Sequence, residues 1–176
     1  MVSNEQINVI KRNGRGKESL DIDKIHSMVG FATEGITGVS ASHVEMNSGL
    51  QFFDGISTDD IQQILIKSAN DLISLESPNY QYVAARLLLF SLRKSLHHRL
   101  WEHPKFITHI KKLVDLGLYD KGILDNYTEA EIDRMGMWID HERDYSFTYA
   151  GLRQVMDKYL VQDRSTGEIF ETPQFM

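Results

Sequence analysis

The sequence predicts a mainly α-helical chain that begins with a small β-hairpin. Three observations support this fold class. Apolar residues recur at helical spacing through most of the chain, alternating polar and apolar residues are confined to short segments near the two ends, and turn-forming residues separate these elements. With 176 residues and 41% hydrophobic content, the chain is long enough to form one domain or two small ones.

The N-terminal segment has the pattern of a β-hairpin. Residues 6–12 alternate between polar and apolar side chains, and Asn13-Gly14-Arg15-Gly16 supplies residues that favour a turn. Residues 18–22 can then pair back on the first strand. We therefore expect two antiparallel strands before the first helix.

Four helices are expected between the hairpin and residue 96. The first begins near Asp23, the second begins at Ser40 or Ser42 and runs to about residue 52, and the fourth covers 80–94 after Ser77-Pro78. The third begins at Thr58, because a hydroxyl followed by Asp59-Asp60 is typical of an N-cap and a first helical turn.

The rest of the chain predicts further helices at 104–116, 128–140 and about 148–159. Thr128 and Glu131 have the spacing of a capping box at the start of the second of these. A short hairpin is expected over 159–170, around Ser165-Thr166-Gly167, and Thr172-Pro173 would begin another helix. Six apolar residues near the end are expected to be exposed in this chain alone: Leu160, Val161, Ile169, Phe170, Phe175 and Met176.

Composition excludes several classes of function. The net charge of −6 and an isoelectric point near 5.6 argue against binding to nucleic acid or to anionic membranes. No segment approaches the ~20 apolar residues that cross a bilayer, so we expect a cytoplasmic protein. The absence of cysteine excludes thiolate metal sites and thiol chemistry within these residues.

One cluster of cations contrasts with the acidic chain: Lys11, Arg12, Arg15 and Lys17 put four cations within seven residues beside a turn. They could surround the oxygens of a triphosphate, or they could form a solvated hairpin tip. Arg93 and Lys94 are explained equally well as cations at a helix C-terminus. The residues alone leave these alternatives open.

Two histidine-containing segments are expected to be structural. His97, His98 and His103 lack the spacing and the accompanying carboxylates of a metal site, so no metal ligands are predicted. The segment 141–144, with sequence HERD, is expected to form an ion-pair group and not acid–base machinery. No catalytic residue is predicted.

Taken in order, several segments resemble one known family. INVIKRNG (7–14), FDGISTDDI (53–61), PNYQYVAAR (78–86) and RK (93–94) resemble the ATP-cone of class I ribonucleotide reductase large subunits. The resemblance continues through YD (119–120), HERD (141–144), FTYA (147–150), KYLV (158–161) and GEIFETPQF (167–175). It covers essentially the whole chain and is closest in style to the enterobacterial and T-even-phage branch.

The resemblance implies a regulatory site at which ATP, with magnesium, activates the reductase and dATP inhibits it. Residues 1–96 would form the cone, and 97–176 would form the first helices of a catalytic domain that leads to a ten-stranded α/β barrel. By position, Lys11, Arg12 and Lys94 would contact the phosphates, supported by Thr58 and the start of the third helix. The remaining site residues would be Glu18, Asp21 and Lys24 near base and sugar, Val9, Leu20, Ile25 and Ile61 as apolar walls, and Gln62.

The sequence departs from the family pattern in three places. The turn Gly14-Arg15-Gly16-Lys17 is one residue longer, and Gln62 stands where related enterobacterial sequences have a histidine, which puts discrimination between ATP and dATP in question. The family's catalytic cysteines and redox centre would lie beyond Met176. The resemblance therefore implies three partners: the catalytic remainder of the large subunit, a second large subunit and a radical-generating small subunit.

Both a truncated chain and the first piece of a split large subunit fit this sequence. Two other functions are compatible with the sequence. One is a free-standing nucleotide-sensing regulator, which the lack of a cysteine zinc ribbon and of a basic patch disfavours. The other is an assembly module whose cone no longer binds nucleotide, which retention of Lys11, Arg12, Thr58 and Lys94 disfavours and Gln62 favours.

Overall fold

The computed structural model describes residues 7–11, 16–49, 51–98 and 102–176. The chain divides into two compact units, one formed by residues 1–88 with 148–150 and the other by 89–147 with 151–176. With 59% of the structure helical and only a few short strands, the predicted mainly α fold class is confirmed. Among the helices in these ranges, none is long and apolar enough to cross a membrane.

A three-stranded sheet opens the first unit. Strand β1 (Asn8–Ile10) lies in the middle, antiparallel to β2 (Lys17–Ser19) and parallel to β3 (Ile56–Ser57). The predicted hairpin is confirmed, although its strands are shorter than expected and residues 12–15 of its turn lie outside the described ranges. Strand β3 was not predicted, because two residues are too few to show an alternating pattern.

The helices of the first unit are α1 (Ile22–Thr33), α2 (Ala41–Gly49), α3 (Thr58–Asp71) and the beginning of α4 (Tyr80–His97), which continues into the second unit. Helix α1 begins one residue earlier than expected, because the carboxylate of Asp21 accepts a hydrogen bond from the backbone N–H of Lys24 and so caps it. Apolar residues from the sheet and from all four helices form the core, among them Val9, Val29, Val44, Ile56, Leu65 and Val83.

The second unit contains the end of α4, then α5 (Phe106–Asp115), α6 (Gly122–Asn126), α7 (Glu129–Gly136) and α8 (Tyr149–Lys158). A 3-10 helix (His141–Ser146) precedes α8, and strands β4 (Gln162–Asp163) and β5 (Glu168–Ile169) form the predicted hairpin before a last 3-10 helix (Pro173–Phe175). Ile107 and Ile110 of α5 pack against Ile132 of α7. The capping box of Thr128 and Glu131 is confirmed.

The expected exposure of the C-terminal apolar residues is wrong for two of them. Phe175 is only 5% exposed, because its ring stacks on His109 with centroids 4.4 Å apart and also lies against Phe106. Leu160, at the end of α8, is also buried. Met176 is exposed as expected, and the other three residues of that group are half-buried.

Candidate functional site

The parallel pairing of β1 with β3 places a cation beside a helix N-terminus. In this pairing Ile10 lies opposite Ser57, so the next residues, Lys11 and Thr58, lie at the same end of the sheet. Thr58 is the first residue of α3, a helix of 14 residues. The first N–H groups of a helix have no partner within that helix, and its dipole is positive at this end. Lys11 and the start of α3 together therefore favour an anion.

Ser57, and not Thr58, caps α3. The Ser57 hydroxyl oxygen accepts from the backbone N–H of Asp60 at 3.0 Å, and the same hydroxyl donates to the Asp60 carboxylate at 2.7 Å. The prediction that Thr58 is the N-cap is therefore wrong, because β3 ends in extended conformation at Ser57 and the helix starts directly after it. Thr58 is half-buried in the first helical turn.

Two lysines at this site are paired with carboxylates. The Lys11 Nζ lies 2.7 Å from Oε2 of Glu18, and the Lys24 Nζ lies 3.2 Å from Oδ2 of Asp21. The hydrogen bond from Lys11 is the largest influence on Glu18 and lowers the pKa of its carboxyl, whereas the pKa of Asp21 is lowered chiefly by the backbone N–H of Lys24. All four side chains are more than a third exposed, so both pairs are weak and open to exchange with a ligand.

The four residues predicted as apolar walls differ in what they offer a ligand. Val9, Ile25 and Ile61 are each less than a tenth exposed and belong to the core of the first unit. Leu20 is half-buried, and its backbone N–H donates to the Ile7 carbonyl at 2.8 Å, which extends the hairpin beyond β2. Leu20 therefore has the most surface left for contact with a nucleotide base.

Gln62 lies inside the first unit. Its side chain is 5% exposed, and its Nε2 donates to the backbone carbonyl of Leu87 in α4 at 2.9 Å. This bond joins α3 to α4. The sequence gives no sign of it, because the partner atom is a main-chain oxygen 25 residues away.

Comparison with known proteins identifies the family of the N-terminal half of the chain. A family model described as the ATP cone domain matches residues 7–95, which is half of the chain. The chain belongs to the ATP-cone family. Family membership implies that the chain binds a nucleotide effector.

The cone and the residues after it also match ribonucleotide reductases. The chain is 47% identical over 98% of its length to ribonucleoside-diphosphate reductase 1 subunit alpha of Escherichia coli, of which it covers 22%. It is 48% identical over 98% of its length to the alpha subunit of Haemophilus influenzae, covering 23%, and 47% identical over 96% to that of Enterobacteria phage T4, covering 22%. The chain thus spans about a fifth of these relatives, in their N-terminal regions, and the predicted resemblance is confirmed.

The structure describes two of the three cations that were predicted to bind phosphate. Arg12 lies outside the described residues. Lys94 lies in the last turn of α4, with an exposed side chain, in the part of this helix that belongs to the second unit. Lys11 is therefore the cation whose position beside the start of α3 is given by strand register.

Arg93, next to Lys94, has a different role from the one expected of it. Its position near the end of α4 fits the expected cation at a helix C-terminus, but its side chain is only 1% exposed. Its guanidinium pairs with Asp144 at 3.2 Å and donates to the Tyr145 hydroxyl at 3.0 Å and the His141 carbonyl at 2.9 Å. The expected ion-pair group at 141–144 does exist, but its cation is Arg93. Helical spacing could have indicated this, since Arg93 follows the buried Leu89 and Phe90 by four and three residues.

Carboxylates and imidazoles do not form a metal site in the part of the chain that the structure describes, where no group of three or more His, Cys, Asp or Glu side chains could hold a metal ion. Asp144 is buried against Arg93, and burial raises the pKa of its carboxyl although Gln174 and Arg93 both oppose the rise.

Proposed function

We propose that the chain is the regulatory portion of a ribonucleoside-diphosphate reductase alpha subunit, with ATP as activator and dATP as inhibitor. The observation that carries the proposal is the placement of Lys11 beside the first turn of α3, inside the segment that matches the ATP-cone family. A cation and helix N–H groups at one sheet end are suited to a triphosphate. A magnesium ion would accompany the phosphates.

In this proposal each site residue has one role. Lys11, Arg12 and Lys94 bind the phosphates, and Thr58 supports them at the start of α3. Glu18, Asp21 and Lys24 face base and sugar, Leu20 contacts the base, and Gln62 holds α3 on α4. The proposed apolar side of the site is completed by Val9, Ile25 and Ile61, which support Leu20 from the core.

Nucleotide entry would exchange one partner of Lys11 for another. In the free chain the Lys11 ammonium contacts the Glu18 carboxylate. A phosphate is the stronger partner, because it offers more negative charge and more acceptor oxygens. The released Glu18 carboxylate could then accept hydrogen bonds from a sugar hydroxyl or from the adenine amino group.

The whole reductase would need more than this chain. Because the chain spans about a fifth of its relatives, we propose that residues 1–96 regulate and that 97–176 begin a catalytic domain completed by the remainder of the large subunit. The working enzyme would also contain a second large subunit and a radical-generating small subunit, in the cytoplasm. Mixing this chain with the remainder and the small subunit should give reduction of ribonucleoside diphosphates that rises with ATP and falls with dATP.

Calorimetry with ATP and dATP tests the cone without any partner. Replacing Lys11 by Ala removes a charge-assisted contact, so ATP affinity should fall about tenfold or more. Lys67→Ala is the matched control, because Lys67 lies on α3 itself and is also an exposed lysine paired with a carboxylate, Asp71 at 3.0 Å. Absence of ATP binding to the unaltered chain, or equal loss in both variants, would overturn the proposal.

A further inference from the structure

Four histidines of the second unit form a connected group of rings, two of which pack against Phe175. The rings of His103 and His141 are stacked with centroids 3.6 Å apart and planes 9° apart, and His97 meets His103 edge-on at 5.9 Å. His109 stacks on Phe175 at 4.4 Å, and His141 meets Phe175 edge-on at 4.9 Å. We call His97, His103, His109 and His141 the histidine cluster. It joins the end of α4, α5 with the segment before it, and both 3-10 helices of this unit.

Each ring of the histidine cluster has one buried nitrogen without a hydrogen-bond partner in the described part of the chain. These atoms are His97 Nε2, His103 Nδ1, His109 Nε2 and His141 Nδ1. A protonated imidazole has two N–H donors, and a buried donor without an acceptor is costly. A neutral imidazole avoids this cost because its unpartnered nitrogen carries no hydrogen. The packing therefore suits four neutral rings.

The charges that face the histidine cluster are mainly positive. Arg93 of α4 faces His97, His103 and His141, and Lys112 of α5 faces His97 and His109. His98 adds to the positive side, while Asp140 acts on His141 in the opposite sense. The Asp144 carboxylate is paired with Arg93. His103 and His141 also line a pocket of about 670 Å³, whose charged lining residues are Lys105, Asp133 and Arg134.

Burial is the first cause that opposes protonation of every ring. It lowers the pKa of His103 to about 3 and the pKa values of His109 and His141 to about 4, and it also lowers the pKa of His97. The positive neighbours lower these pKa values further. An unfolded imidazole has a pKa near ~6.5, so below this pH the opened unit binds more protons than the closed one.

We infer that the histidine cluster is an acid-sensitive latch, which holds the C-terminal 3-10 helix against α5 while its rings are neutral and releases it on proton uptake. Folding lowers the pKa values of these four rings, so proton uptake favours the open state. The latch is at full strength above pH ~6.5 and weakens as the pH falls from there towards ~4. Proton uptake and opening should be coupled, because the stacked His103 and His141 rings are too close to carry two charges.

The expected effect is large. Each proton taken up on opening raises the opening equilibrium constant about tenfold per pH unit. With three of the rings at pKa values of about 4 or below, the constant should rise by up to about a thousandfold per pH unit between pH ~6 and ~4.5.

Urea unfolding of the whole chain at several pH values measures this effect. Trp138 belongs to the second unit, and Trp101, the other tryptophan, lies within the same stretch of the sequence, so tryptophan fluorescence reports on this unit. Hydrogen exchange of the peptide 170–176 should show loss of protection at the same pH as the fluorescence change. Uptake of fewer than one proton when the second unit unfolds, as given by the change of its stability with pH, would overturn the latch. A peptide 170–176 that stays protected through the transition would also overturn it.

Variants separate the histidine cluster from other imidazoles. His103→Phe keeps a ring stacked on His141 but cannot take up a proton. The opening equilibrium constant should therefore lose one factor of about ten from its rise per pH unit. His26→Gln removes an exposed histidine of the first unit, paired with Glu45 at 2.8 Å, and should leave the slope unchanged. Equal slopes for His103→Phe and the unaltered chain would contradict the inference.

Imidazole NMR of the unaltered chain covers the case in which His103→Phe does not fold. The four rings of the histidine cluster should gain protons together, at the pH where fluorescence changes. Rings that gain protons one by one, while the fluorescence and the C-terminal protection are unchanged, would show that there is no latch.

Discussion

One ion pair from each unit shows two different uses of charge in this chain. In the first unit, Lys11 pairs with Glu18 across the hairpin with side chains 49% and 39% exposed. In the second, Arg93 pairs with Asp144 with side chains 1% and 0% exposed. An exposed pair can exchange one partner for a ligand at small cost, whereas a buried pair cannot be opened without leaving a charge in a low-dielectric interior. The first arrangement suits binding, and the second suits a fixed architecture.

The other buried polar side chains also differ between the units. In the first unit the buried Gln62 amide donates to the main-chain carbonyl of Leu87. In the second, Glu171 is 1% exposed, and its carboxylate accepts from the backbone N–H of Val161 at 2.8 Å and from the Tyr119 hydroxyl. Burial, followed by this hydrogen bond to Glu171, raises the pKa of the Tyr119 hydroxyl. Substitutions in the second unit should therefore affect stability, and those around Lys11 should affect ligand affinity.

The largest effect is expected from Asp144→Ala. It leaves the Arg93 guanidinium buried without its counterion, so the free energy of unfolding of the second unit should fall by about 3–5 kcal/mol. Asp71→Ala breaks an exposed pair with Lys67 and should cost less than about 1 kcal/mol. Chemical denaturation followed by tryptophan fluorescence and by circular dichroism measures both. Similar losses in the two variants would mean that Arg93 and Asp144 do not form the buried pair.

The next effect concerns the bond between α3 and α4. Gln62→Glu places carboxylate oxygens against the Leu87 carbonyl, so it should destabilise the first unit by about 2–3 kcal/mol at neutral pH. Burial would raise the pKa of this new carboxyl, so the loss should shrink as the pH falls towards ~4, where the protonated group can donate to the carbonyl. Gln62→Leu removes the donor without adding a charge, and should cost less. A loss that is independent of pH would contradict the buried position of Gln62.

Lys94→Ala should act on affinity and not on folding. If Lys94 contacts a phosphate, ATP binding should weaken by about ten- to a hundredfold, equivalent to ~1.5–3 kcal/mol. Saturating ATP should stabilise the unaltered cone by roughly 2.7 kcal/mol at about 100 times the dissociation constant, and most of this shift should vanish in the variant at the same ATP concentration. Thermal unfolding with and without ATP checks both. A large drop in the unliganded midpoint with unchanged ATP affinity would make Lys94 a structural residue.

The smallest effect compares two helix caps. Ser57→Ala and Thr128→Ala each remove a hydroxyl that accepts from a backbone N–H, so each should cost about 1 kcal/mol in the free energy of unfolding. Only Ser57→Ala should also weaken ATP binding, because only α3 begins beside Lys11. Calorimetry and denaturation of the two variants test this. Equal ATP affinities in both would separate the start of α3 from the site.

Local patterns in the sequence predicted the features that depend on near neighbours. The hairpin, the capping box of Thr128 and Glu131, and the helices that became α5, α7 and α8 all arise from contacts within a few residues. The position of Lys11 beside Thr58 could not be predicted from such local patterns. It depends on β3, whose pairing with β1 joins residues that are far apart in the sequence, so only the family resemblance brought the two residues together beforehand.

The errors concern long-range partners. Arg93 was expected to be an ordinary cation at a helix C-terminus, because its partner Asp144 lies 51 residues away. The burial of Gln62, on which no prediction was made, follows from its bond to Leu87. Phe175 was expected to be exposed because nothing in its own segment covers it, whereas His109 and Phe106 of α5 do so. Residue type and spacing indicate that a side chain prefers to be buried, but they do not indicate which distant group will cover it.

Amide chemical shifts of the ¹⁵N-labelled chain during an ATP titration would test most directly whether the start of α3 beside Lys11 forms the phosphate site. The start of α7 is the matched reference, because it too is capped by a hydroxyl residue, Thr128, and carries first-turn carboxylates. We predict that the amides of Lys11, Thr58 and Asp59 shift along a single binding curve while those of Glu129 and Ala130 stay in place. ATP binding that leaves the start of α3 unchanged, or that shifts both helix starts equally, would contradict the proposed site.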